Sequence, residues 1–188
     1  MKRQFILLFA IIFIVLNASA RQPERGYRGF LDWSNTVRTE KVPGFTKRYT
    51  DYYTGFSTSH GFQFNPRLYI GAGIDFEYNS DQRDRLLTPF IHGRTDLLFG
   101  KFTPFGEMRL GYNLTNGGGV YFSPNIGYRF NWGRKMGINL GLGVTIIGYT
   151  SDIYDVSITP DGEYIFTGPI GKHHGCTAYF SFRIGIDF

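Results

Sequence analysis

One cysteine, Cys176, stands in 188 residues, so the chain cannot form an internal disulfide and offers no cysteine-rich metal site. Long apolar runs are also missing: nothing approaches the ~20 consecutive residues that a helix needs to cross a bilayer, which excludes a helical membrane anchor. The longest run, Phe5 to Leu16, follows Lys2 and Arg3 and precedes Ala18-Ser19-Ala20. Those are the three parts of a cleaved secretory signal. Residues 1–20 are therefore expected to be a Sec signal peptide and 21–188 a single exported domain. No cysteine follows the cleavage point to carry a lipid. A large excess of one charge is lacking too. The formal net charge of +5 falls to +3 once Lys2 and Arg3 are removed, too little to imply nucleic-acid binding. Helical periodicity is nearly absent after residue 20.

What the chain has is glycine, 25 residues, and aromatic side chains, 18% of the total, both high for a soluble domain. It also has alternation. From Met136 to Ile146, Met, Ile, Leu, Leu, Val and Ile alternate with Gly, Asn, Gly, Gly and Thr, the period of a strand with two unlike faces. Similar segments occur near 26–37, 51–64, 67–79, 89–99, 103–114, 119–132, 136–149 and 175–188, and most reach the ~9–11 residues of a tilted transmembrane strand. Asn65-Pro66, Gly100-Lys101-Phe102 and Gly133-Arg134-Lys135 are tight turns. The alternate connections 38–50, 80–88 and 150–174 are long, while 115–118 is short and glycine-rich. Short turns at one end and longer loops at the other are the asymmetry of outer-membrane barrels, turns periplasmic. The fold expected is all-β: a closed antiparallel up-and-down transmembrane β-barrel of eight strands. Ile153–Ile158 and Glu163–Thr167, flanking the turn Thr159-Pro160-Asp161-Gly162, are short enough to suggest a hairpin projecting outside. Counting them as two more strands makes a ten-stranded barrel the alternative count, and a soluble periplasmic β-barrel is the runner-up for the fold.

The end of the chain, Tyr179-Phe180-Ser181-Phe182-Arg183-Ile184-Gly185-Ile186-Asp187-Phe188, alternates to its last residue and closes on phenylalanine. This resembles the terminal signal by which the outer-membrane assembly machinery recognises barrels. With Gly71–Ile74, Tyr121–Phe130 and Gly137–Gly143, it is similar to the outer-membrane β-barrel domain family of small OmpA/OmpX-like barrels. The resemblance implies a fold and an outer-membrane location of Gram-negative type, and transfers no activity.

Alternation turns Arg28, Arg94, Arg109, Arg129 and Arg183 into the lumen, with Asp32, Asp75, Glu77, Asp96, Glu107 and Asp187. Arg28 is expected beside Asp187, Asp32 beside Arg183 and Arg94 beside Glu107, as ion pairs bracing a lumen about wide enough for its own side chains. Ser57, Asp75 and His92 share a face and a height, and serine, histidine and acid are the types of a nucleophilic triad. A triad sealed in the lumen has no route to lipid, so the expectation is a hydrogen-bonded cluster and no catalytic residue. His173, His174 and Cys176 are types that bind zinc or copper, but no fourth ligand is visible, and neither metal nor cofactor is expected. Tyr27, Phe64, Phe99, Phe130, Trp132 and Phe188 should form a periplasmic aromatic belt, with Tyr52, Tyr78, Tyr112, Phe122 and Tyr149 as the outer one. In the outer loops, Arg38, Lys41, Lys47, Arg48, Arg83, Arg85 and Lys172 could pair with lipopolysaccharide phosphates, although Glu40, Asp51, Asp81 and Asp84 partly offset them.

The function expected is therefore that of a monomeric outer-membrane barrel with a filled lumen and a structural or surface-interaction role through its external loops. Its partners would be membrane lipid and lipopolysaccharide, with the assembly machinery acting during biogenesis. A narrow channel is the alternative, and a lipid-modifying enzyme comes third.

Overall fold

A computed structural model describes residues 25–41, 48–81, 83–98, 100–115, 118–132, 136–158 and 164–188, without the side chains of 40–41, 48–49 and 151–170. The expected signal peptide, Phe99 and the turns at 133–135 and 159–162 lie outside these residues.

Eight strands run in chain order: β1 (Gly26–Lys41), β2 (Arg48–Gln63), β3 (Leu68–Asn79), β4 (Asp84–Asp96), β5 (Phe102–Asn113), β6 (Gly119–Trp132), β7 (Met136–Ile158) and β8 (Tyr164–Asp187). Each pairs antiparallel with its sequence neighbours, and β1 closes on β8 through Phe30↔Asp187 to Val37↔Phe180. The sheet has no free side edge over that stretch, which removes the unpaired backbone groups that a membrane would penalise. We call the end where β1 begins and β8 ends the near end, and the opposite one the far end.

Three boundaries differ from expectation. β4 starts at Asp84, so the loop expected over 80–88 shrinks to a turn at Arg83, whose φ of 55° is left-handed. Pro89 resembles a strand breaker in sequence, yet it lies inside β4 opposite Ile74 of β3, while the β4–β5 register begins only at Phe90↔Gly111. The proline interrupts the second ladder without ending it, since Leu114 N–H donates to Leu87 O at 2.8 Å on its other side. Strands β1 and β2 likewise continue to Lys41↔Arg48. The segment 150–174 is an extension of β7 and β8 rather than a separate pair of strands. Asp152↔Lys172 and Val156↔Phe166 pair across it, with a register shift between Ile153 and Asp155. That settles the count at eight, not ten.

The wall is apolar outside and polar inside. Leu31, Ile70, Ile91, Leu110, Ile126 and Leu142 all stand exposed, Ile126 at 73%. Even the polar groups of the outer wall are paired: His60 takes Tyr27 Oη at 2.6 Å on Nδ1 and Thr58 Oγ1 at 3.0 Å on Nε2. Exposed Tyr27, Phe64, Trp132 and Phe188 ring the near end, and Tyr52 and Tyr112 the far end. Tyr149 departs from the expected outer belt. It shares the strand face of buried Ile147, with its ring against Gly175, on the lumen side of the extension. At the seam the ring of Phe188 lies across Gly29, where a Cβ would come within 2.8 Å of it. The backbones of these two residues exchange hydrogen bonds of 2.8 and 3.0 Å.

Candidate functional site in the lumen

The pleat sends alternate side chains inward, and the inward set fills the barrel in tiers. At the near end Asp187 is the hub. It accepts from Arg129 Nε at 2.8 Å and Nη2 at 2.6 Å, from Arg28 Nε at 3.2 Å and from Asn139 Nδ2 at 2.9 Å. Arg28 also donates to Gln63 at 2.7 Å and Asp96 at 3.3 Å, and Arg94 Nε donates to Asp96 at 3.0 Å. Above this lie rings. The Arg94 guanidinium sits 3.6 Å from the Phe105 centroid and 5.2 Å from Phe30, and Phe30 meets Tyr69 edge-on at 4.9 Å. Facing a π cloud compensates the two Arg94 Nη groups, which have no hydrogen-bond acceptor.

The middle tier is built around Arg109, which crosses from β5 to β1. Its Nη2 donates to Asp32 and its Nη1 to Ser57 at 2.8 Å, with Glu107 at 3.6 Å. Glu107 also accepts from Arg183 at 3.2 Å, and Arg183 donates to Tyr121 at 2.8 Å and Ser123 at 2.7 Å. Asp75 and Glu77 receive hydroxyls in place of guanidinium groups: Tyr121 donates to Asp75 at 3.1 Å, and Ser34 to Glu77 at 3.0 Å. Toward the far end Tyr53, Leu86, Phe90, Tyr121, Ile147 and Tyr179 pack into an apolar plug. Tyr53 additionally donates to Asp84 at 2.9 Å.

The structure places Arg28, Asp32, Asp75, Glu77, Arg94, Asp96, Glu107, Arg109, Arg129, Arg183 and Asp187 all in the lumen, none more than 9% exposed. Their partners only partly follow expectation. Arg28 does meet Asp187. Asp32 lies opposite Gly185 and binds Arg109, while Arg183 lies opposite Ser34 and binds Glu107. Arg94 is in register with Glu107 but pairs with Asp96. In so narrow a lumen a long arginine reaches the opposite wall, so facing direction does not determine the partner. The neutral partners Ser34, Gln63, Tyr121, Ser123 and Asn139 were not singled out in sequence, although their inward parity marks them equally.

Ser57 lies directly opposite Asp75, but His92 stands opposite Gly71, four residues along β3 from Asp75, so the three form no triad. His92 instead bridges Ser59, at 2.8 Å from Nδ1, and Glu107, at 3.3 Å from Nε2. This line of serine, histidine and acid is enclosed. His92 has no exposed surface and Ser59 has 1%, with Phe30 and Tyr69 each 5.2 Å and Phe90 6.3 Å from the imidazole. His173 and His174 are consecutive in β8, so they face opposite ways and cannot both serve one ion. His174 Nδ1 hydrogen-bonds Thr150 Oγ1 at 3.0 Å, and Cys176 is exposed. Among the described residues no group of three His, Cys, Asp or Glu side chains could hold a metal.

No family model and no curated protein matches this chain. A solved outer-membrane barrel is similar. The crystal structure of the outer membrane protein OprG from Pseudomonas aeruginosa superposes with a TM-score of 0.51, over 90% of this chain and 98% of that one, at 11% identity. At that identity the likeness is one of fold. It supports the closed eight-stranded barrel and assigns no family within it.

Proposed function

We propose that the protein is an integral outer-membrane barrel of Gram-negative type, exported through its signal peptide, with a structural or surface-interaction role rather than transport or catalysis. One observation carries this reading: the barrel is inside out relative to a soluble one. Some thirty large apolar side chains stand exposed, while five arginines and six acids are buried, an arrangement that lipid favours and water does not. The two aromatic rings seat it at the headgroup levels. The lumen argues for a scaffold, since ion pairs cross it at two levels and the apolar plug covers them. Contacts with partners then fall to the far end, above all to the β7–β8 extension and to cations that could meet lipopolysaccharide phosphates. Phe188 is the element proposed to engage the assembly machinery, and the mature protein is proposed to work as a monomer.

Heat-modifiable gel mobility tests the seating. Protein refolded in detergent or vesicles is expected to run compactly until boiled, and identical mobility before and after boiling would overturn it. Planar-bilayer recording tests the filled lumen, and steady openings would replace the scaffold by the narrow channel. Lipid A from expressing and deleted cells is expected to have the same mass profile; a changed profile would revive the enzyme.

A further inference from the structure

Of the four histidines, His92 lies in the lumen and His173 and His174 in the β7–β8 extension, while His60 stands exposed on the outer wall. Across the sheet it lies opposite Gly29 on one side and Ala72 on the other, so no long aliphatic side chain flanks it. Rings do so instead. Tyr27 stacks on the imidazole at 6.0 Å with the planes 16° apart, and Phe188 meets it edge-on at 6.4 Å. Polar groups in a lipid-facing wall are costly unless hydrogen-bonded, and both ring nitrogens of His60 are.

The partners fix the direction of these bonds. The Thr58 hydroxyl has one proton and gives it to the Phe30 carbonyl at 3.1 Å. Its oxygen therefore accepts from His60 Nε2–H at 3.0 Å. A neutral imidazole protonated on Nε2 accepts at Nδ1, so the Tyr27 hydroxyl donates there, at 2.6 Å. With its proton engaged by His60, Tyr27 offers the outside only oxygen lone pairs, on a side chain that is 65% exposed in the near-end aromatic belt. Directly opposite Tyr27 lies Phe62, and the guanidinium carbon of exposed Arg25 is 6.0 Å from the centroid of that ring. A guanidinium resting on a ring face keeps its in-plane N–H groups for an anion. A cationic donor and an obligatory acceptor thus flank one phenyl ring on the lipid-facing wall.

We propose that this corner binds one phospholipid with an ethanolamine headgroup, its phosphate on Arg25 and its ammonium on the Tyr27 hydroxyl oxygen, an inference that rests on the outer-membrane reading above. A simple anion satisfies Arg25 and leaves Tyr27 Oη without a donor. Phosphoethanolamine carries an anionic oxygen and an N–H donor joined by a two-carbon link, so one headgroup meets both. Choline keeps the positive charge but has no N–H to give. Glycerol has hydroxyls, but a neutral donor makes a bond about half as strong as a charged one.

The test uses the full mature chain refolded into vesicles with equal shares of phosphatidylethanolamine, phosphatidylglycerol and phosphatidylcholine, extracted in mild detergent and analysed by native mass spectrometry for the lipids retained. Wild type is expected to keep phosphatidylethanolamine about tenfold in preference to phosphatidylcholine, the equivalent of one charge-assisted hydrogen bond, and severalfold over phosphatidylglycerol. Tyr27→Phe retains the ring and removes the acceptor, so it is expected to lose that preference while Arg25 still holds phospholipid. Arg25→Gln is expected to lower retention of all three lipids. Tyr128→Phe, at another exposed tyrosine of the outer wall, is expected to change nothing. Equal retention of the three lipids by wild type, a preference for phosphatidylglycerol, an undiminished preference in Tyr27→Phe, or an equal loss in Tyr128→Phe would each overturn the proposal. A second measurement needs no variant: stepwise N-methylation of the ethanolamine is expected to erode retention by wild type, and constant retention across that series would overturn it. Folding of wild type into phosphatidylcholine alone is scored separately, because failure there defeats the membrane reading itself.

Discussion

At the scale of the residue, the lumen is a set of charges that are tolerable only together. Removing one partner of a buried pair leaves the other uncompensated, at a cost of about 3–5 kcal/mol. Arg109→Ala strands Asp32 and weakens the hold on Glu107, so a loss of that size is expected in denaturant titrations followed by the folded gel band. Gly29 serves a different end. With no Cβ it lets the Phe188 ring lie flat across the β1–β8 seam, a pairing of aromatic and glycine that also pins register. Gly29→Val is expected to lower the yield of the compact, boiling-sensitive form, whereas Gly93→Ala, where a Cβ would meet nothing nearer than 4.0 Å, is expected to leave that yield unchanged. Alternation in sequence is enough to sort Arg109, Asp32 and Glu107 inward, because facing direction is a local property of a strand. It says nothing about which of them touch, since contact depends on lumen width and on how far an arginine extends. His92 illustrates the gap: its partners Ser59 and Glu107 come from strands on both sides, and only the closed register brings them to it.

At the scale of the element, β7 and β8 outgrow the barrel. The last register pair between β6 and β7 is Tyr121↔Ile147, and between β1 and β8 it is Val37↔Phe180. Beyond those points the two strands pair only with one another. A two-stranded ribbon with no third strand adds little stability of its own. Replacing 152–172 by a short Asn-Gly turn is therefore expected to leave heat-modifiable mobility intact and to move the thermal midpoint by no more than a few degrees; loss of the folded form would show that the extension belongs to the barrel. The extension was legible as a hairpin from the turn residues 159–162, but its continuity with the barrel strands was not. Gly168, Pro169, Gly171 and Gly175 interrupt the alternation, and the register shift near Tyr154 resets its phase. β4 likewise reaches five residues past Pro89, the first residue of the expected strand 89–99, because a proline interrupts a ladder without ending it.

At the scale of the whole molecule, closure and filling act together. The sheet leaves its central strands no free edge, and the interior is obstructed at several heights. Removing the far-end rings alone should consequently not open a path. Tyr53→Ala with Tyr179→Ala is expected to leave planar bilayers without steady conductance, because Arg109 still spans from β5 to Asp32 beneath; stable openings in that variant would show that the plug, not the ion pairs, seals the barrel. The overall architecture was the most legible part of the chain. Eight alternating segments, and turns that differ in length at the two ends, are repeated signals that tolerate an error in any one. What the molecule contacts was the least legible, because the far-end connections carry neither a repeated pattern nor a dominant charge.

The grip on Asp187 also bears on time. Its donors come from β1, β6 and β7, all earlier in the chain, while Asp187 itself sits at the end of β8, the last of the eight strands. Until β8 arrives, Arg28, Arg129 and Asn139 have no common acceptor, and Asp96 alone stands against Arg28 and Arg94, a surplus of positive charge that hydrocarbon would reject. Partial insertion from the N-terminal side is thereby penalised, and closing the ring and completing its interior become one event.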